Sequence, residues 1–129
     1  RKVKRKQFIV FLGWEPHPMN SNFELAYLTG GDKYFGANFG GATIHTLTRK
    51  GYQRDCPNVG KLLQNMKFTL KMENEMMGFI LDKGWLPKGA AQTWLNTNPE
   101  VLSVWLDGVT TRRGEPGLAA VKTYLKQTP

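Results

Sequence analysis

One cysteine and two histidines in 129 residues leave little room for metal or redox chemistry. Cys56 cannot close a disulfide within the chain, and it has no second thiol for a C-x-x-C motif. His17 and His45 stand far apart, and neither falls in H-E-x-x-H or a related metal spacing, so no metal site is expected and both histidines are read as structural. Catalytic groups are equally sparse. There is no G-x-S-x-G elbow, and Cys56, which precedes Pro57 at a helix start, has no catalytic partner in the pattern. Glu73 and Glu75, two positions apart, point to different faces of the helix they would share, and Glu15 stands beside Trp14 without a second carboxylate. The chain is not expected to be an enzyme or to carry a cofactor. The glycines of Thr29 to Gly41 never form a phosphate cradle, because no Gly-Lys-Ser or Gly-Lys-Thr follows and no G-x-G-x-x-G opens a helix. They are read as turn and hinge residues. Long apolar runs are missing too: none approaches the roughly 18 residues of a membrane span. The basic start followed by Phe8-Ile9-Val10-Phe11-Leu12 mimics a secretory signal, but the run is short and meets Glu15 and two prolines, not a small-residue cleavage site.

What is present begins with charge. The formal net charge is +8, yet Arg1, Lys2, Lys4, Arg5 and Lys6 supply five of the eighteen basic residues, leaving thirteen against ten acidic ones. The basicity is a terminal tail over residues 1–6 more than a surface stripe, and no nucleic-acid partner is expected. With 40% hydrophobic and 12% aromatic residues, the rest is globular and of a length for one ordinary domain.

Three short apolar segments read as strands. They are Phe8 to Leu12, Phe23 to Leu28, and Ala42 to Thr48, rich in aromatic and β-branched residues and bounded by turn residues. From Pro57 the apolar period becomes helical. Val59, Leu62, Leu63 and Met66 mark one stripe, and Leu70, Met76, Met77, Ile80 and Leu81 a second, with Thr69 placed to cap the second helix. The methionines are read as core. Gly84 closes that helix and Pro87 opens the next, while Asn98-Pro99 interrupts before Val101 to Leu106, and Gly108 ends that stretch. A final helix buries Leu118, Val121, Tyr124 and Leu125. The plan is α/β or α+β, with about three strands followed by about five helices. So little sheet for five amphipathic helices implies that the chain is part of something larger.

The segment Trp14-Glu15-Pro16-His17-Pro18-Met19-Asn20 follows the first strand and Gly13. Its prolines predict a stiff, extended loop, which holds an aromatic face where binding residues concentrate. Trp14 either plugs a core edge or contacts a ligand. Phe23, Tyr27, Tyr34, Phe35 and Phe39 add aromatic surface around flexible glycines. Such faces suit a quaternary ammonium, which lacks an N–H donor.

Four stretches in order, FLGWEPHPMN, GGDKYFGANFGGATIHT, CPNVGKLLQNMKFTLKMENEMMGFILD and TWLNTNPEVLSVWLDGVTT, resemble the C-terminal part of the choline and glycine-betaine substrate-binding proteins of bacterial ABC importers. The resemblance runs from about Gln7 to Leu125. It implies half of a two-lobed, periplasmic-binding-protein-like α/β fold that closes at a hinge, with an aromatic box around the trimethylammonium group. Trp14 corresponds to a box tryptophan and is the ligand-binding residue the resemblance implies. Residues 7–41 correspond to the end of the second lobe and the return crossing, with residues 42–129 as the C-terminal half of the first lobe. Trp85, Trp94 and Trp105 fall at helix positions read as packing.

The same resemblance implies a quaternary amine such as choline or betaine as ligand, an ABC transporter permease as partner, and a periplasmic or otherwise extracytoplasmic location. Family chains are about twice this length, and the other box aromatics would precede Arg1. The expectation is that the missing half, or a second copy by association or swapping, completes the site, and that Cys56 could pair with a cysteine in that half. The rival from another class is a small standalone module docking its basic terminus on an acidic or nucleic-acid surface.

Overall fold

The computed structural model describes residues 7–127, so the basic tail expected over residues 1–6 lies outside the described residues. Four single-turn helices come first: α1 (Met19–Asn22), α2 (Asp32–Phe35), α3 (Ala37–Gly40) and α4 (Tyr52–Asp55). Five more follow: α5 (Pro57–Asn65), α6 (Leu70–Leu81), α7 (Pro87–Thr97), α8 (Glu100–Trp105) and α9 (Gly117–Gln127). The last five are the helices the period predicts, and their local signals act as expected. Thr69 Oγ1 accepts the Met72 N–H at 3.3 Å at the start of α6. Pro87 occupies the first turn of α7, where its missing N–H leaves no helical bond unmade. Beyond α6 the chain reverses through Gly84, in the left-handed region at φ +69°.

The expected strands are a different matter. Among the described residues there is no strand: 8–12, 23–28 and 42–48 are non-helical segments with no ladder, and the one isolated bridge is Thr110 to Pro116. A strand exists by the hydrogen bonds of its neighbour, and among the described residues no strand pairs with these segments. Their side chains accordingly stand in solvent, with Ile44 at 90% exposure. The stretch between them turns tightly. Asn38 and Phe39 inside α3 have positive φ, and a Cβ at Gly40 would lie 2.8 Å from the Phe35 carbonyl oxygen, so that position admits only glycine without a shift.

The core forms in the last third of the chain, where Ala90, Trp94, Leu102, Trp105, Val109 and Leu125 are buried. Helices α6 and α7 are joined by Trp94 Nε1–H donating to Glu75 Oε2 at 2.7 Å. Asn58 and Asn65, two turns apart on one face of α5, tie that helix to the end of α8 and the chain after it. Asn58 gives Nδ2–H to the Thr110 carbonyl at 2.7 Å and accepts the Thr110 N–H at 2.9 Å. Asn65 Nδ2 donates to the Trp105 and Asp107 carbonyls at 3.2 and 2.8 Å. Phe68 packs on Trp105 with ring centroids 5.2 Å apart. These staples make the helical part a scaffold, and Asn22 Nδ2–H donating to Asp82 Oδ2 at 2.8 Å fastens the N-terminal loop to the end of α6.

Candidate functional site

Trp14 lies on the loop between the first apolar segment and α1 and is 59% exposed. It does not plug a core edge. The loop does not stay extended as its prolines predict: Pro18 adopts helical φ and ψ and α1 begins at Met19. Proline is tolerated at a helix start for the reason that its absent N–H is not needed there, so the sequence TrpGluProHisPro becomes a bend that feeds a helical turn. The Glu15–Pro16 peptide is cis.

Side chains within the loop close on one another. The Trp14 and His17 rings meet edge-on at 5.5 Å and 73°. His17 Nδ1 accepts the Met19 N–H at 3.1 Å. Asn20 Nδ2 donates to the Trp14 carbonyl at 3.0 Å and to the His17 carbonyl at 3.1 Å, which uses both of its amide hydrogens. Pro18 is buried, and a Cβ at Gly13 would meet the Met19 side chain at 3.2 Å. The indole is therefore presented to solvent from a loop that is internally bonded, which lowers the ordering cost of any contact it makes.

The other expected aromatics assemble only in part. Tyr27 and Phe39 pack at 5.3 Å with a 43° tilt, joining the segment before the glycine-rich stretch to α3. Burial and then the nearby Glu15 carboxylate raise the Tyr27 phenol above its ordinary value, so Tyr27 stays neutral and able to donate well into the alkaline range. Phe23, Tyr34 and Phe35 are exposed. Trp94 and Trp105 are buried packing residues as expected, while Trp85 lies at the surface, stacked on Phe79 at 5.0 Å, with Lys83 Nζ 4.6 Å from the Phe79 centroid. His45 is exposed, and Cys56 is a half-buried free thiol just ahead of α5. Reading His17 as merely structural missed its two contacts with the Trp14 loop, and Asn20 was not singled out at all. The signal for both was an acceptor one residue before, and an amide two residues after, the proline that opens a helical turn.

An exposed tryptophan with its ring against His17, on an internally bonded loop joined to a helical scaffold, presents a contact surface of the kind binding proteins use. The chain belongs to the family described as the substrate binding domain of ABC-type glycine betaine transport system, whose model matches residues 1–97. That is a family of transport binding proteins and not of enzymes. A glycine betaine/carnitine transport binding protein of Listeria monocytogenes is 35% identical over 109 residues, covering 84% of this chain and 35% of that protein. An ABC-transporter choline binding protein solved in complex with choline is 59% identical, with a TM-score of 0.78 over 95% of this chain and 43% of its own. A choline binding protein in an unliganded semi-closed conformation is 60% identical, with a TM-score of 0.71 over 88% and 39% of the two chains. This chain thus spans less than half the length of these relatives. The likeness to binding proteins is consistent with the α/β class expected, although the strands themselves do not form among the described residues.

Proposed function

We propose that Trp14 is one wall of a site that holds a quaternary ammonium compound, choline or glycine betaine, by cation–π contact, in the substrate-binding component of an ABC importer. The observation that carries this reading is the exposed indole on a clamped loop in a chain 59% identical to a protein solved with choline. The chemistry fits: a trimethylammonium group has no N–H to donate and is held best by several aromatic faces. In this reading residues 7–41 are the end of the second lobe with the hinge crossing, and residues 42–129 belong to the first lobe. The permease of the importer is the partner, and the location is periplasmic or extracytoplasmic. No match favours the standalone module with a basic docking terminus.

One wall is a weak site. An exposed cation–π contact contributes about 0.5–1 kcal/mol, which is less than tenfold in affinity. The remaining walls come from polypeptide outside this sequence, either the rest of the two-lobed architecture or a second copy, and the unpaired apolar segments at 8–12, 23–28 and 42–48 are the edges on which it would dock. Calorimetry with choline tests the proposal. The chain alone should show no binding below millimolar choline. Joined to the preceding part of its choline-binding relative, it should bind, and Trp14→Ala should weaken that binding at least about tenfold, the value of a desolvated cation–π wall. Tight one-to-one binding by the monomer, or joined protein indifferent to Trp14→Ala, would overturn it.

A further inference from the structure

We infer that His17 and Asn20 are positioning residues that set the orientation of the Trp14 indole before any ligand arrives. Its functional consequence rests on Trp14 being a ligand wall; the clamp itself does not. Four contacts converge on one short loop. The Asn20 amide donates to the carbonyls of Trp14 and His17, fixing the backbone at both ends of the bend that carries the indole. The His17 ring meets the indole edge-on, fixing the side chain. His17 Nδ1 accepts the Met19 N–H, which fixes the imidazole itself and satisfies a donor in the first turn of α1 that has no helical partner.

Each role demands a particular chemistry. Asn20 acts by donating twice, so aspartate, of the same size, cannot replace it: a carboxylate would face two carbonyl oxygens with no hydrogen between them. His17 acts as an acceptor at Nδ1, so its neutral ring must carry its proton on Nε2. Asparagine at position 17 could still accept the Met19 N–H two residues on, as in an Asx turn, but would bring no ring to Trp14. Phenylalanine would bring the ring and no acceptor. The two functions of His17 are therefore separable.

Nuclear magnetic resonance of the whole chain, labelled with nitrogen-15, decides the matter without ligand. At mildly alkaline pH the His17 ring should show the Nε2–H tautomer, with the exposed His45 as reference in the same spectrum. The Trp14 indole N–H resonance, assigned by its loss in Trp14→Phe, should move in Asn20→Asp while those of the buried Trp94 and Trp105 stay in place. Exchange of the Met19 amide should be about fivefold faster in His17→Phe and return to within about twofold of the parent in His17→Asn, the effect of one hydrogen bond lost and regained. A His17 proton on Nδ1 would overturn the inference, as would a Trp14 resonance indifferent to Asn20→Asp with the core intact. Should a variant disturb Trp94 and Trp105 as well, the tautomer of the parent chain decides alone. In the joined protein that binds choline, Asn20→Asp should weaken binding about three- to tenfold, the cost of ordering a loose side chain. If the indole moves in Asn20→Asp while Trp14→Ala leaves choline affinity unchanged, the clamp stands and the ligand reading falls.

Discussion

Replacing Trp94 probes whether the contact between α6 and α7 holds the scaffold together. Trp94 is 4% exposed, and its indole N–H donates to Glu75 Oε2 at 2.7 Å. Phenylalanine in its place keeps a ring in the core but removes about three heavy atoms, the donor nitrogen among them. The lost apolar burial costs about 1–2 kcal/mol at the usual value per buried carbon. The hydrogen bond is charge-assisted, for which about 1.5–3 kcal/mol is typical in a protected site. Here the Glu75 side chain is 41% exposed, and water takes over the acceptor when the indole leaves, so the bond contributes nearer 1 kcal/mol. Lys71, with Nζ 3.9 Å from Glu75 Oε1 and largely exposed itself, adds little. Trp94→Phe should therefore lose about 2–3 kcal/mol and Trp94→Ala about 3–5. Glu75→Gln keeps an acceptor for the indole and should lose under about 1 kcal/mol. Urea denaturation followed by circular dichroism reads these as a falling midpoint at constant slope. A double-mutant cycle of Trp94→Phe with Glu75→Ala, which removes the acceptor, isolates the pair. A loss below about 0.5 kcal/mol for Trp94→Phe would refute the reasoning, because it would mean that neither the burial nor the bond survives in solution.

Three further outcomes follow from particular contacts. Gly117→Ala should destabilise the chain by about 1–3 kcal/mol in thermal unfolding, since its Cβ would sit 2.9 Å from the Val109 carbonyl oxygen, a backbone atom that cannot swing aside. Thr69→Ala should cost about 1 kcal/mol through loss of the α6 cap, with Thr69→Ser close to neutral by the same melt. Tyr27 should ionise above the ordinary tyrosine range in an ultraviolet titration, and Glu15→Gln should bring it partly back. Because the folded phenol is held above its unfolded value, the stabilising contribution is complete below the ordinary tyrosine range and is lost as pH rises through the folded value.

Helix starts were legible where the signal is a residue and its own backbone. Thr69 caps α6 because its hydroxyl reaches an N–H three residues on, and Pro87 opens α7 because its ring already has helical φ. The resemblance carried by four ordered motifs was also legible, and the family match supports it. The strands failed for the opposite reason. Phe8 to Leu12, with five apolar residues in a row, has the composition of a strand, but pairing is a property of two segments and composition describes one. The candidate site was half legible. Trp14 stands out by type and by its setting between glycine and prolines, whereas the work of His17 and Asn20 depends on side-chain directions that spacing does not show.

The sequence by itself determined the family, the helical periods with their caps and breakers, and the presence of a tryptophan on a proline-stiffened loop, because each of these rests on local chemistry or on ordered motifs. Only the tertiary structure decided that the indole faces solvent, that one amide and one imidazole bond within its loop, and that the three apolar segments form no ladder among the described residues. The physical reason is common to all three: burial, hydrogen-bond partnership and strand pairing are relations between groups, and they exist only once the chain has placed those groups in space.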